Sequence, residues 1–362
     1  MKSIAVLVQI QQKYPTPVLV WGSPGVGKSS YIRSIGEALN VPVEIVIASI
    51  REPSDFAGLP IVEDKRTYLA PPAWATRLAE AGRGILFLDE INTAPPAVQA
   101  VLMQVVLNKV VGELRLPQKV AVIAAANPPE EATGGWDLSA PLANRFVHIH
   151  WKLDVDRWIQ GMISGWPLPN IPVLPENWDT NVPVCRALIA SFIKIRPHLL
   201  SQVPNDEGKA GKAWPSPRTW EMAAIVYAAA QTLNDKDLTM ELIAGCVGES
   251  AALEFMAWID EQDLPDPEEL LRDPDSFKLP NRGDKIYAVL SSVVAATIRN
   301  LTHERWLNAW TICAKATKQG AKDFAAAAVQ ALAALRQKNP SLPLPVEQLN
   351  EFLPILKKLG DA

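Results

Sequence analysis

A glycine-rich segment that ends in Lys-Ser is the sequence feature that most constrains the fold of this chain. Residues 22–29 read Gly-Ser-Pro-Gly-Val-Gly-Lys-Ser, which fits the pattern G-x-x-x-x-G-K-[ST]. An apolar run, Val18–Trp21, precedes the loop, and a helical pattern over residues 29–39 follows it. Such a loop works only between a strand and a helix, because its backbone N–H groups and the helix N-terminus together surround phosphate oxygens. We therefore predict an α/β domain that binds a nucleoside triphosphate.

The residue types in the loop suit this chemistry. The glycines permit a tight turn, Lys28 is expected to bridge the β- and γ-phosphates, and Ser29 is expected to bind Mg²⁺ through its hydroxyl. The predicted nucleotide-binding set is Gly22, Ser23, Pro24, Gly25, Val26, Gly27, Lys28, Ser29 and Ser30. The predicted ligands are ATP and Mg²⁺. The alternative is a glycine-rich turn with an unrelated lysine, which the flanking strand and helix disfavour.

A second segment, Ile85-Leu-Phe-Leu-Asp-Glu90, follows the loop after about sixty residues. Four apolar residues and two acids indicate a strand that is buried on both faces and carries carboxylates at its carboxyl end. Ligands bind at that end in open α/β sheets. We predict that Asp89 holds the metal ion together with Ser29, and that Glu90 is the general base that polarises the attacking water. A strand that merely ends in a charged turn is the alternative.

Another buried strand delivers a polar residue to the same place. The elements predicted here are strands over 43–48 and 119–126, hairpins over 61–69 and 110–117, and helices over 72–81 and 95–109. The strand over 119–126 ends at Asn127. Lys28, the two acids and Asn127 should therefore meet at one edge of one sheet.

Composition excludes several classes of protein. The 362 residues are 48% apolar and 20% charged, which is typical of a soluble globular protein with two or three domains. No apolar stretch reaches the ~18 residues of a membrane span, and no signal peptide is recognisable, so we expect a cytoplasmic protein. Cys185, Cys246 and Cys313 are far apart and should be buried thiols. A net charge of −4 gives no general attraction for nucleic acid, although a local basic pore remains compatible with it.

Six motifs occur in order along residues 16–260. They are residues 22–29, Asp55-Phe-Ala-Gly58, Leu86-Phe-Leu-Asp-Glu-Ile-Asn92, Ala126-Asn-Pro128, Leu142-Ala-Asn-Arg-Phe146 and Ser216-Pro-Arg-Thr219. In this order and spacing the set resembles the AAA+ ATPases of the MoxR type. The resemblance implies an AAA+ P-loop NTPase core with a parallel sheet of strand order 5-1-4-3-2, followed by a helical lid. It also implies a homo-oligomeric ring, usually a hexamer, with ATP between neighbours and both hairpins facing the pore.

The resemblance implies roles for three further residues. Asn127 matches a sensor-1 residue that orients the attacking water; an Asx-turn is the alternative and is compatible with that role. Arg145 matches the arginine finger that reaches a neighbour's γ-phosphate, the alternative being a surface ion pair. Arg218 resembles a sensor-2 arginine that completes the pocket of its own subunit, or it is a helix-surface arginine. Ser216 as N-cap and Pro217 at the first helical position place Arg218 in the first turn of a helix.

Other polar and aromatic residues receive no catalytic role. Asp55 fits a helix start beside a buried phenylalanine. His148 and His150 share one face of a strand, and two histidines without a third ligand are usually structural rather than a zinc site. The tryptophans lack an interleaved basic run and should pack in the core and lid. For the nucleobase, the only candidate region is a vague one around Tyr14.

The chain divides into three predicted regions. These are an AAA+ α/β nucleotide-binding core over 1–155, a crossover and helical lid over 156–262, and an additional C-terminal helical region over 263–362. Helices are predicted over 184–196, 219–233, 240–260, 285–300, 304–317, 322–338 and 346–359. No motif indicates what the C-terminal helices do.

The predicted function is that of a MoxR-like ATPase. It would couple hydrolysis of the phosphoric anhydride bond of ATP, at subunit interfaces, to remodelling or activation of a client protein, and a von Willebrand factor A domain protein is a partner typical of the family. The alternative is a nucleic-acid motor or a McrB-like restriction NTPase on the same core, which the acidic charge disfavours. A third hypothesis is a nucleotide-gated scaffold that barely hydrolyses ATP.

Overall fold

The structure is a computed structural model that describes residues 2–128, 131, 136–262, 264–348 and 352. Its strands are β1 (Val18–Trp21), β2 (Val43–Ile47), β3 (Leu59–Glu63), β4 (Arg66–Ala70), β5 (Gly84–Asp89), β6 (Val110–Val111), β7 (Leu114–Arg115), β8 (Val120–Ala126) and β9 (Val147–His150). Its helices are α1 (Lys2–Ile10), α2 (Lys28–Leu39), α3 (Ser54–Ala57), α4 (Ala73–Ala81), α5 (Pro96–Asn108), α6 (Ala140–Ala143), α7 (Val155–Ser164), α8 (Val182–Ile195), α9 (Glu207–Ala210), α10 (Pro217–Gln231), α11 (Lys236–Val247), α12 (Glu249–Gln262), α13 (Pro267–Arg272), α14 (Gly283–Arg299), α15 (His303–Lys318) and α16 (Lys322–Lys338). In this part of the chain no helix combines the length and the apolar character that a membrane span requires.

Five parallel strands form the central sheet, in the order β2-β5-β8-β1-β9. Numbered among themselves along the chain and read from β9, they have the order 5-1-4-3-2, which confirms the predicted topology. The apolar runs of β5 and β8 are buried throughout, apart from the half-buried Asp89 at the end of β5. Such runs are expected where helices cover both faces of a parallel sheet. The helices α1, α2, α4 and α11 contact strands of this sheet.

The parallel register aligns the ends of the strands. Trp21, the last residue of β1, is paired with Ala126 of β8 and His150 of β9, each of which also ends its strand. The residues that follow these strands therefore meet along one side of the sheet, which we call the carboxyl edge. The side on which β1 and β9 begin is the amino edge.

Both predicted hairpins are present. β3 pairs with β4 and β6 with β7, antiparallel in each case. The hairpins touch each other, since the backbone N–H of Glu113 donates to the carbonyl oxygen of Leu69 at 3.3 Å. The first hairpin is strongly exposed, including Val62, whose exposed fraction is 74%. The pore-facing position implied by the resemblance stays a prediction.

The structure divides into two compact units. The first is drawn from Met1–Glu176 and Ser201–Leu253 and contains the central sheet, and the second is drawn from Asn177–Leu200 and Glu254–Ala362. Within the second unit α8 packs along α14, and Glu268 accepts hydrogen bonds from Arg299 and Arg305. The hydrogen bond from Arg305 holds the pKa of Glu268 below its usual value. The predicted division into core, lid and C-terminal region is based on expected function, whereas the two units are defined by how densely their residues contact each other. The three-part division therefore stays a prediction.

Several helices differ from the sequence-based expectation. The predicted continuous pattern over 240–260 is wrong, because α11 and α12 are separated at Gly248, whose φ of 83° favours glycine. The patterns also do not predict α1 or α7. Most residues of α1 are buried, so it lacks a polar stripe, while α7 begins within a Trp- and Pro-rich segment where Asp154 caps it. The predicted last helix, over 346–359, lies mostly outside the described residues.

The three cysteines are buried free thiols, as predicted. Burial raises the pKa of each thiol, so all three stay protonated at neutral pH. They are therefore packing residues, without the thiolate character that a nucleophile or a metal ligand requires.

Gly245 lets α11 pack directly on β9. A Cβ atom at this position would lie 2.4 Å from the carbonyl oxygen of His148. We expect Gly245→Ala to push the helix off the sheet and to lower the free energy of unfolding by about 1–3 kcal/mol, the usual cost of overpacking a core, as measured by chemical denaturation. Gly208→Ala in α9 is the control, because an added Cβ there meets only Asp206 Oδ1, at 3.3 Å. An equal loss in both variants would contradict the packing explanation.

Candidate nucleotide-binding site

The phosphate loop turns from β1 into α2. Gly25 and Gly27 have φ angles of 80° and 95°, which favour glycine. The helix begins at Lys28, so the unpaired N–H groups of its first turn face the loop. The N–H of Gly22 donates to the carbonyl oxygen of Ala126 at 3.1 Å and fixes the start of the loop to β8. Backbone N–H groups next to a helix N-terminus form a ready binding site for phosphate.

Lys28 is buried against the loop and surrounded by oxygen atoms. Its Nζ donates to the carbonyl oxygen of Ser23 at 3.1 Å and to Asn127 Oδ1 at 3.0 Å. Burial lowers the pKa of Lys28, and the negative charges of Asp89 and Glu90 oppose that shift. A partly desolvated ammonium group at the turn into α2 suits a phosphate oxygen, because charge-assisted hydrogen bonds are strong where water is limited.

Ser29 and Asp89 lie together as the motifs predict. Ser29 Oγ donates to Asp89 Oδ2 at 2.7 Å. A hydroxyl and a carboxylate are hard oxygen ligands of the kind that Mg²⁺ accepts beside phosphate oxygens and water, so these two residues fit the ion. When bound with ATP, Mg²⁺ supplies neutralisation of the charge on the phosphates.

Glu90 occupies an unusual backbone conformation at the end of β5. Its φ of 56° is left-handed, and such residues cluster at functional sites. Its backbone is held on both sides, because its N–H donates to Asp89 Oδ1 at 3.0 Å and its carbonyl oxygen accepts from Thr93 Oγ1 at 2.9 Å. Its exposed carboxylate accepts a hydrogen bond from Ser49 Oγ at 2.5 Å. No sequence motif includes Ser49, although a polar residue soon after β2 is a signal for the carboxyl edge.

Asn92 fixes the spacing between the ends of β5 and β8. Its Nδ2 donates to the carbonyl oxygen of Asn127 at 2.9 Å, and its Oδ1 accepts from the backbone N–H of Asn127 at 3.2 Å. Asn92 is 3% exposed, so both bonds are shielded from water. This two-bond contact leaves the Asn127 side chain to meet Lys28. Asn92 is the last residue of the motif Leu86–Asn92, but the motif does not indicate that this residue joins β5 to β8.

Trp151 follows β9 and packs beside the loop. Its backbone N–H donates to the carbonyl oxygen of Trp21 at 2.7 Å. A Cβ atom added at Gly22 would lie only 2.8 Å from Trp151 Cβ and 3.4 Å from Trp151 Cγ, so the Trp151 side chain lies beside the loop and leaves no room for a side chain at residue 22. The ring of Tyr31, in the first turn of α2, lies 5.3 Å away at an interplanar angle of 75°. Nothing in the sequence pattern joins residues 31 and 151.

His148 is structural, in agreement with the sequence interpretation. Its Nδ1 accepts from Trp21 Nε1 at 2.9 Å, which places the ring proton on Nε2, from which it is donated to the carbonyl oxygen of Ala143 at 2.9 Å. Burial lowers the pKa of His148 to about 4. Among the described residues no group of three or more His, Cys, Asp or Glu side chains is arranged to hold a metal ion.

Arg145 lies at the amino edge, in the turn just before β9. The four residues of β1 separate that edge from the phosphate loop, a distance of about 13 Å at ~3.3 Å per residue. Arg145 donates to the carbonyl oxygen of Pro141, and its Nε has no partner among the described residues. Burial lowers the pKa of Arg145, and the nearby charge of Arg218 lowers it further.

Arg218 lies close enough to Arg145 for the two charges to interact. Among the described residues, no contact links Arg218 to Lys28. The helix α10 begins at Pro217 with Ser216 as its N-cap, as predicted. Ser216 Oγ donates to Asn144 Oδ1 at 2.9 Å, which ties the start of this helix to the turn that carries Arg145. The geometry therefore gives no support to a role for Arg218 in the pocket of its own subunit.

Comparison with known families agrees with this geometry. Residues 17–146 match the family model of the AAA domain (dynein-related subfamily), a span that runs from just before β1 to just before β9. This segment is thus an AAA domain, and the fold and site together are those of an AAA+ P-loop NTPase. The prediction of an AAA+ core is confirmed, and a domain of this class in general binds nucleotide and has ATPase activity.

Two solved structures resemble the chain more distantly. A candidate ATPase from Cytophaga hutchinsonii is 17% identical, with a TM-score of 0.46, over 68% of this chain and 80% of that chain. A full-length MCM homolog from Methanopyrus kandleri is 17% identical, with a TM-score of 0.37, over 71% of this chain and 53% of that chain. These similarities are too low to assign a function.

The lowered pKa of His148 makes stability depend on pH. Because the pKa is about 4 in the folded chain and ~6.5 when unfolded, this contribution is complete above pH 6.5 and is lost as the pH falls towards 4. We expect the free energy of unfolding of the wild type to fall by about 2 kcal/mol more between pH 7 and pH 5 than that of His148→Gln. Denaturant titrations at both pH values measure this, with the exposed His303→Gln as control. Equal pH dependence in wild type and His148→Gln would refute the assignment.

Proposed function

We propose that this chain is a MoxR-like AAA+ ATPase that hydrolyses ATP between neighbouring subunits of a ring and thereby remodels or activates a client protein. One observation carries the proposal. The groups suited to bind and cleave a triphosphate lie at the carboxyl edge of the sheet, whereas Arg145 and Arg218 lie at the amino edge. A second copy of the chain is needed to join the two sets at one nucleotide.

The carboxyl edge supplies the in-chain part of the chemistry. Lys28 binds phosphate oxygens, and Glu90 accepts the proton of the attacking water, a role worth about 10²–10⁴-fold in rate. Asn127 orients that water with its amide. Ser49 donates to the same carboxylate that must accept the proton, so Glu90 has to leave Ser49, or share that bond, when it acts.

The amino edge supplies the charge that the neighbour's nucleotide requires. Arg145 and Arg218 are like charges held close together, and neither forms an ion pair with any residue that the structure describes. Such a pair is unfavourable unless an anion binds between or beside the two guanidinium groups. The γ-phosphate of the next subunit is such an anion, and an arginine in this position contributes about 10³–10⁵-fold to hydrolysis in related NTPases. We assign Arg145 as the arginine finger and Arg218 as its companion in the same neighbouring site.

Association of a carboxyl edge with the next amino edge is head-to-tail, and such contacts generate rings when the rotation closes. Six subunits are the usual number in the family that the motifs resemble. The exposed hairpin of β3 and β4, with its contact to the second hairpin, is suited to contact a client in the pore. A von Willebrand factor A domain protein is the partner that the resemblance suggests, and a cytoplasmic location fits this role.

A nucleic-acid motor on the same core is the second candidate. The net charge of −4 disfavours it, since nucleic-acid binding draws its affinity from neutralised phosphates. Steady-state ATPase rates with and without duplex or single-stranded DNA separate the two functions. The remodelling function predicts rates that DNA leaves unchanged within about twofold, and strong activation that declines steeply with salt would favour the motor.

Glu90→Gln tests the catalytic assignment. The variant keeps the size and hydrogen-bonding capacity of the side chain but removes its basicity, so we expect ATP binding to be retained and the ATPase rate to fall by about 10²-fold or more. Calorimetry and a phosphate-release assay measure the two quantities. Glu80→Gln, an exposed change in α4, is the control and should keep the wild-type rate. Unchanged slow turnover in Glu90→Gln would instead favour the nucleotide-gated scaffold.

A further inference from the structure

The order of strands gives the bound triphosphate a direction. Along the carboxyl edge, Glu90 follows β5, Asn127 follows β8, the phosphate loop follows β1, and Trp151 follows β9. Neighbouring strands are about 4.8 Å apart, so Trp151 and Glu90 are on opposite sides of the loop, separated by about three strand spacings. With the γ-phosphate next to Glu90 and Asn127, the side of the loop that faces β9 is open to the ribose and base in the proposed orientation of the nucleotide.

An aromatic surface lies on that side of the loop. The side chain of Trp151 lies beside the loop at Gly22, and Tyr31 lies three residues after Lys28, the proposed phosphate ligand. Both rings are half-buried, so each has a supported part and an accessible part. Their edge-to-face arrangement, with centroids at 5.3 Å, forms a corner rather than a closed stack.

Three features suit this corner to a neutral flat ligand. The guanidinium carbon of Arg157, on α7, lies 5.7 Å from the centroid of the Tyr31 ring and supports that ring from outside the loop. Burial raises the pKa of Tyr31, so its phenol is neutral at physiological pH. The Nε1 atom of Trp151 is buried without a hydrogen-bond partner among the described residues, so no polar contact locks the indole in place.

The same topology argues against the region around Tyr14 as the contact for the nucleobase. Tyr14 precedes β1, and the carbonyl oxygen of its neighbour Lys13 accepts a hydrogen bond from Gln118, just before β8. These residues are at the amino edge, a strand length away from the phosphate loop. The geometry therefore gives no support to the region around Tyr14 as the contact for the base.

We propose that Trp151 and Tyr31 bind the nucleobase by stacking and thereby favour purine over pyrimidine nucleotides. The proposal rests on the proposed function, because it extends the same nucleotide site. Stacking strength follows the size of the π surface, so a two-ring base gains more than a one-ring base. Base–aromatic stacking of this kind is worth about 5- to 100-fold in affinity when measured by alanine substitution.

Affinities for ATP, CTP and inorganic tripolyphosphate test this proposal. All proteins carry Glu90→Gln, so that the ligands survive calorimetry. We expect Trp151→Ala and Tyr31→Ala each to weaken ATP binding by about 5- to 100-fold, to bring the ATP and CTP affinities closer together, and to change tripolyphosphate affinity less than twofold. Trp151→Phe should retain most of the ATP affinity. Trp158→Ala, which removes an exposed indole from α7, is the control and should bind all three ligands as the parent does.

The ligand series separates the possible failures. Equal losses for ATP and tripolyphosphate would show that Trp151 only supports the loop at Gly22, and would overturn the stacking proposal. Unchanged ATP affinity in both alanine variants would also overturn it and leave the proposed function intact. If the parent protein binds neither ATP nor tripolyphosphate, the proposed function fails and this proposal fails with it. Should Trp151→Ala not fold, Tyr31→Ala and Trp151→Phe still decide the outcome.

Discussion

The parallel pairing of β5, β8, β1 and β9 is the constraint on which the rest of this structure depends. A parallel sheet brings the chain out of every strand on the same side, so four distant segments meet at one edge. The paired hydrogen bonds of Asn92 with the backbone of Asn127 then fix β5 to β8 beyond the last ladder bond. A slip of one residue in any of these pairings would turn Asp89 or Asn127 to the opposite face of the sheet.

The same sheet explains why the site is divided between two edges. The length of β1 separates the edge that carries Arg145 and Arg218 from the phosphate loop of the same chain, so the proposed function assigns both arginines to the nucleotide of a neighbouring subunit. Their mutual repulsion is unfavourable by itself, and the proposed function relieves it with the phosphate of another subunit. Ser216 and Asn144 hold the two arginine-bearing segments together by one buried hydrogen bond. The proposed function therefore makes hydrolysis depend on assembly, because each edge carries only part of the proposed catalytic site.

The sequence predicts the structural features that are formed by residues close together in the chain. The phosphate loop, the acid-tipped strand and the start of α10 each combine local conformation and chemistry within a few residues. The sheet order is implied by the family resemblance that the motifs carry. Features made by residues distant in sequence are different. Ser49 becomes relevant only because β2 lies beside β5, and Trp151 meets Tyr31 only because β9 lies beside β1. Local signals also placed Arg218 in the first turn of its helix, but packing against Asn144 decides which edge of the sheet it reaches.

The central claim is that one nucleotide is served by two copies of the chain, and mixing two inactive variants tests it most directly. Glu90→Gln lacks the general base but keeps Arg145, whereas Arg145→Ala lacks the arginine but keeps Glu90. Random mixing in a head-to-tail ring creates complete sites where the first variant supplies Arg145 to the second, so ATPase activity should recover to about a quarter of the wild-type rate. A mixture no more active than the sum of its two components, or an Arg145→Ala protein that hydrolyses ATP at the wild-type rate alone, would contradict the shared site.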